Sequence, residues 1–159
     1  MHAINNELAQ RCISADGRYL DSIEMQTFEK YVNTYQTRLK AYQEIRQKSD
    51  ELVLSSLRKW SRKHPTLVQR KGKRCHYDMT EMLRYMALSI LRDDELFFQE
   101  TLTIWLDTIL VAHQKHHHCA DAYNLLSGEV SSQLSADCAH LVKPYLEHVV
   151  QLLDSHADN

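Results

Sequence analysis

Glycine and proline are scarce in this chain, three and two among 159 residues. Tight turns between strands draw on both, so a fold of many short strands would have few places to turn. No run of about 18 apolar residues occurs, which excludes a membrane-spanning helix on length alone. The opening Met1-His2-Ala3-Ile4-Asn5 lacks the charged-then-apolar order of a secretory leader, and a cytoplasmic protein is expected. Paired cysteines are missing as well. Cys12, Cys75, Cys119 and Cys138 are widely spread with no C-x-x-C spacing, so each reads as a free thiol. A formal charge of −2 excludes a surface given over wholly to a polyanion, although eight of the 19 Lys and Arg fall between Arg58 and Arg74. That segment has only Trp60 as an interleaved aromatic and matches no groove-binding motif, so no nucleic-acid partner is expected. With no Ser-His-Asp order, nucleotide-binding glycine loop or H-E-x-x-H, no enzyme is expected either.

What remains is helical periodicity. The 43% hydrophobic content suffices for one domain over residues 1–159 without disulfide or metal staples. The longest stripe, Met25, Phe28, Val32, Tyr35, Leu39 and Tyr42, has 3-4 spacing and calls for another helix to cover it. A second stripe, Val53, Leu57 and Trp60, stops before His64-Pro65, and a loop is predicted over 64–74. Helical spacing restarts at Cys75 with Met79, Met82, Leu83, Met86 and Ile90 and ends near Arg92-Asp93-Asp94-Glu95. Phe98, Leu102, Trp105, Leu106, Ile109 and Leu110 form the next stripe, and the histidine-rich 113–118 reads as a connection. A weaker helix follows over Ala122 to Leu134. The last starts near Ser135, with Pro144 kinking it or marking its true start.

The segment Ala15-Asp16-Gly17-Arg18-Tyr19-Leu20, followed by Asp21 or Ser22 as a helix cap, resembles the turn between the first two helices of the phycobiliproteins. Further on, Arg38-Leu39 through Ile45, Ser49 and the Trp60 helix resemble that family's next two helices. Cys75, Asp78 and Leu83-Arg84-Tyr85 resemble its chromophore helix, and the similarity runs over essentially the whole chain at low identity. The resemblance implies an all-α, globin-like fold whose N-terminal helical pair, residues 1–34, serves subunit association while 35–159 form the core. It also implies a homodimer or heterodimer with a phycobiliprotein-like subunit, in which Asp16 and Arg84 pair across the interface.

The function implied is binding of a linear tetrapyrrole, a phycocyanobilin-like bilin, in light harvesting or a divergent sensory or regulatory role. A bilin presents a vinyl or ethylidene carbon to a thiolate, so a covalent site needs an accessible cysteine at the mouth of an apolar cleft. Cys75 suits that role beside Lys71, Lys73 and Arg74, cations that would lower its pKa and pair with the propionates. Asp78, one turn later, lies where its carboxylate can accept the pyrrole N–H groups. Met82 and Tyr85 continue the stripe that would line the cleft, and Tyr77 stands where the family has an arginine. Cys138, in Ser135-Ala136-Asp137-Cys138, resembles a second attachment site, and a small residue packed in a first helical turn is the other reading of it. Two alternatives stand beside the pigment carrier: a pigment-free relative of the kind associated with bilin biosynthesis, and a haem-binding globin using His76, the one histidine near the cleft by sequence. His113, His116, His117 and His118 are read as a solvated stretch, with no metal site expected.

Overall fold

The computed structural model describes residues 4–112 and 116–155. Six helices and no strand occupy the described residues: α1 Asn6–Ser14, α2 Ser22–Lys63, α3 Pro65–Arg92, α4 Glu95–Ala112, α5 His116–Gln133 and α6 Ala136–Ser155. The architecture is all-α, as the scarcity of turn residues implies.

Helix α2 starts sharply because its first turn is capped from both sides. The Asp21 carboxylate accepts from the amides of Ile23 and Glu24 at 2.9 and 2.8 Å, while Glu24 reaches back to accept from the Asp21 amide at 2.9 Å. Arg18 locks the same glutamate with two N–H···O contacts of 2.8 and 2.9 Å. Gly17 turns the chain into this cap at φ 78°, the left-handed region that a side chain disfavours. With neither Gly nor Pro between Ser22 and Lys63, the helix then continues for 42 residues. The two helices implied for this stretch are one continuous rod.

The loop predicted over 64–74 is also helical. His64 alone separates α2 from α3, and Pro65 is the first residue of α3, where its missing N–H costs nothing and its fixed φ favours the helix. Leu67 and Val68 then pack onto the core. Helix α3 ends where expected, with Asp93 in the left-handed conformation and the amides of Asp93 and Asp94 bonded back to Ile90 and Ser89. His116 already opens α5, so the connection is shorter than 113–118, and His113 lies outside the described residues. Helix α6 runs through Pro144, which neither starts nor ends it.

The core draws on α2 to α6. Leu52 and Val53 of α2, Met82, Leu83 and Met86 of α3, Phe98 and Leu102 of α4, Leu126 of α5, and Val142, Leu146, Val149 and Leu153 of α6 are almost fully buried. Helix α2 lies along α3, while α5 and α6 pair and lean against α2. The leading end is different. No residue of α1 is buried, and α2 buries nothing between Glu24 and Arg38. Of the predicted stripe, Met25, Val32 and Tyr35 are exposed, and Leu39 and Tyr42 are half covered. Ile13, Tyr19 and Ile23 extend the exposed apolar surface.

One clasp returns this end to the body. Asn5 donates its side-chain amide to the carbonyls of Arg92 and Asp93 at 3.0 and 2.5 Å and accepts the Leu8 amide with its oxygen at 2.9 Å. Arg92 donates to the Ile4 carbonyl at 2.7 Å, and Asp94 accepts the Asn6 amide at 3.1 Å.

Arg18 and the Asp21 amide hold the Glu24 carboxyl down to about 2. A lowered folded-state pKa contributes stability above the unfolded value and loses it as pH falls through the folded one. Glu24→Gln should therefore lower the Tm at pH 7, and the gap from wild type should close as pH is taken from about 5 towards 2 in thermal melts followed by circular dichroism.

Candidate functional site

Four helices bring the chemistry-bearing side chains to one slot. Trp60 comes from the last turns of α2, Cys75, Asp78 and Met79 from α3, and Cys119, Ala122 and Tyr123 from α5, with Trp105 of α4 closing the side. The spacing explains the placement: Cys75 and Asp78 are three residues apart, Cys119 and Tyr123 four, so each pair shares a helix face. The expected juxtaposition of a sulfur and a carboxylate on one apolar cleft is present.

The open surface of the slot is apolar, and the polar groups nearby are buried in its walls. Asp78 is 5% exposed, and its Oδ2 accepts from Arg74 Nε at 3.0 Å. Around it, Trp60 Nε1, Trp105 Nε1 and the Tyr123 hydroxyl are buried without a protein hydrogen-bond partner. Native proteins leave few such groups unpaired, because each costs about 1–3 kcal/mol. Three such groups belong to residues that line one slot. Burial, then the charge of Asp78 and the two thiols, raises the Tyr123 pKa well above that of a free tyrosine, so the hydroxyl is held as a donor.

The space is another matter. The slot encloses about 20 Å³, enough for about one water, whereas pockets for drug-sized ligands run to roughly 300–1,000 Å³. Its walls, above all Trp60, Met79 and Tyr123, fill the volume that a flat tetrapyrrole needs. The residue set fits such a ligand chemically, and the closed conformation does not admit it.

The remaining candidate residues disperse. Lys73 and His76 line a separate groove of about 400 Å³ between α2 and α3, together with Leu54, Leu57, Arg58 and Val68. His76 accordingly does not serve as a haem ligand in the slot: its Nε2 sits 2.9 Å from Asp50 Oδ1 on α2. Tyr77 is exposed, with the Arg74 guanidinium 5.9 Å from its ring centre. Met82 is a core residue and not a cleft-lining one, 1% exposed, because a further turn along α3 carries it under the bundle. Tyr85 lies further still, beside Phe97 of α4 at 6.5 Å.

Two thiol expectations need correction. Cys75 has a raised pKa, not a lowered one, because burial outweighs Lys71 and Arg74 and the Asp78 charge adds to it. Cys138 is 2% exposed, its Sγ donates to the Ala41 carbonyl at 3.7 Å, and burial pushes its pKa up to about 12. It is a packed core residue and offers no attachment point in this conformation. At the surface, Asp16 is exposed, and Arg84 pairs within its own helix with Glu81 while stacking 4.8 Å over Tyr85.

Sequence reasoning missed Trp60, Trp105, Cys119 and Tyr123 as site residues. The available signal was composition, since both tryptophans of the chain converge on this slot.

A helical bundle with a cysteine and a buried aspartate a turn apart on one slot, entered through an N-terminal capped helix pair, agrees with the comparison with known families. The family model for phycobilisome proteins matches residues 12–153. The chain belongs to the phycobilisome protein family. No curated protein sequence matches it. Its fold is the globin-like all-α one of phycobilisome proteins, whose subunits assemble as oligomers with one another. No described helix of this phycobilisome protein is long and apolar enough to cross a membrane.

Two outcomes follow from the slot. Tyr123→Phe removes a buried, unpaired hydroxyl while keeping the ring, so it should leave the ligand-free protein as stable or raise its stability by about 1 kcal/mol in urea unfolding. Asp78→Asn removes the charge that adds to burial in raising the Cys75 pKa. Alkylation of Cys75 by iodoacetamide at pH 8, read by peptide mass spectrometry, should be slow in wild type and several-fold faster in the variant.

Proposed function

We propose that this phycobilisome protein binds a linear tetrapyrrole in the slot between α3 and α5, as a pigment-carrying subunit or a divergent sensory relative acting at the phycobilisome. The observation that carries the reading is the set of buried, unpartnered donors of Trp60, Trp105 and Tyr123 grouped with the Asp78 carboxylate. A bilin supplies the complement: pyrrole N–H groups for a carboxylate, lactam and propionate oxygens for indole and phenol donors. Cys75 is the thiol placed for covalent attachment, and its raised pKa makes spontaneous attachment slow near neutral pH. Arg74 would then serve Asp78 first and a propionate second.

Binding requires the slot to open, and the groups that must move are wall side chains such as Trp60 of α2, Met79 of α3 and Tyr123 of α5 rather than Cys75 and Asp78. The exposed apolar side chains of Ile13, Tyr19 and the leading half of α2 support a second role, association with a like or unlike family subunit, in which Asp16 and Arg84 would pair across the interface. Once bound, a tetrapyrrole held extended between rigid helices would be tuned through the Asp78 contact. No bond-making step on another substrate is part of this reading, which would seat the protein with phycobilisomes on the cytoplasmic face of the thylakoid.

The small volume of the slot favours one second reading, a pigment-free family member whose core has closed over the ancestral cleft. Co-expression with a bilin-making pathway separates the two. Zinc-enhanced fluorescence on a denaturing gel should appear in wild type and vanish in Cys75→Ala, and native absorbance should shift in Asp78→Asn. Pigment retained by Cys75→Ala only under native conditions would indicate the same slot without the bond. An uncoloured wild type would leave the pigment-free reading standing.

A further inference from the structure

Just outside the slot, three metal-binding side chains from different parts of the chain meet at one point. His64 is the single residue between α2 and α3, its backbone fixed by its amide bonding to the Trp60 carbonyl at 2.9 Å and its carbonyl accepting the Val68 amide at 3.2 Å. His118 and Asp121 stand three residues apart near the start of α5 and so share a face. The His64 and His118 rings are 4.6 Å apart, His64 Nε2 is 3.5 Å from Asp121 Oδ2, and one ligand atom from each residue lies within 4.8 Å of the other two.

We infer that His64, His118 and Asp121 form a binding site for a divalent transition-metal ion, with Zn²⁺ the best match. Donor type excludes the hard cations, since Mg²⁺ and Ca²⁺ take oxygen ligands while two imidazoles and one carboxylate suit zinc. Geometry agrees: ligands at about 2.0–2.1 Å around a tetrahedral zinc lie about 3.3 Å apart, close to the His64–Asp121 separation already present. His118 reaches the same point by a small side-chain adjustment within the 4.8 Å limit. Three protein ligands leave the fourth position to water. Access is open, because the Asp121 side chain is 50% exposed while that of His64 is 22%.

The ion would tie the α2–α3 corner to α5 beside the slot. Trp60 packs 5.8 Å from His64, and Cys119 follows His118 directly, so two walls of the slot hang from the ligands. Binding would stiffen those walls. The inference does not depend on whether the slot takes a pigment.

The test is a zinc titration of untagged protein, stripped with chelator and read by competition with a chromogenic chelator, with a Co²⁺ absorption spectrum as a second readout. Wild type should take one equivalent in the micromolar range or tighter, with a Tm rise of about 5–10 °C at a hundredfold excess over Kd. His64→Ala and Asp121→Asn should each weaken binding at least tenfold and remove the cobalt visible bands. Cys119→Ala and His140→Ala should leave both unchanged, which separates the site from thiol and scattered-histidine binding. Asp121→Asn, a half-exposed change, should melt like wild type in chelator, so its loss of zinc reports the site and not the fold. A wild type that takes no zinc below about 100 µM, or binding indifferent to His64→Ala and Asp121→Asn, overturns the assignment.

Discussion

A helix of 42 residues is about 63 Å long, and a chain of 159 residues packs into a globule with a radius of gyration of only about 15 Å. Helix α2 therefore cannot be covered along its whole length by its own chain. The trailing half lies in the core beside α3 and α5, and the leading half projects with its apolar side chains bare. Everything else is arranged around this rod. Its far end delivers Trp60 to the slot and His64 to the corner, while the near end carries the surface that a second subunit would cover. The capping box of Asp21 and Glu24 with Arg18 matters for this reason: few packing contacts hold that end, so hydrogen bonds at the first turn must.

The slot shows how a binding cleft and a packed core can share one frame. Apolar walls alone would collapse into a dry interior without penalty. Here the collapse leaves two indoles and a phenol without partners next to a carboxylate satisfied by Arg74. The closed form is thus destabilised by its own polar atoms, and a ligand that met them would offset part of the cost of prising the walls apart. Cys75 sits at the same wall with its pKa raised, so the attachment proposed there would depend on something that draws off its proton.

Much of this was legible in the residues. Period-3.6 spacing located the helices, and the Asp-Gly-Arg turn with its cap matched atom for atom what a helix start needs. Cys75 and Asp78 were picked out by the resemblance of their block to a chromophore helix, and three-residue spacing explains why they share a face. Reading failed where local signals admit two outcomes. Pro65 ends a helix or begins one, and only the packing of Leu67 and Val68 decides for the second. Nearby lysine and arginine suggested an acidic thiol, but proximity in sequence says nothing of burial, and burial prevailed at Cys75. Met82 looked like a cleft residue because a helix stripe rotates slowly, and one further turn was enough to bring it under the core. Trp105 and Tyr123 escaped notice since their helices meet α3 only in three dimensions.

The clasp at Asn5 bears on the order of events during synthesis. Its partners, Arg92 and Asp93, follow it by 87 and 88 positions, so the grip cannot form until all of α3 has left the ribosome. Through that interval α1 and the projecting end of α2 emerge as nascent segments with their greasy sides uncovered, the period in which they are open to chaperones and to premature self-association. Closing the clasp orients the two segments on a finished body, so the subunit pairing proposed above would follow tertiary folding rather than guide it.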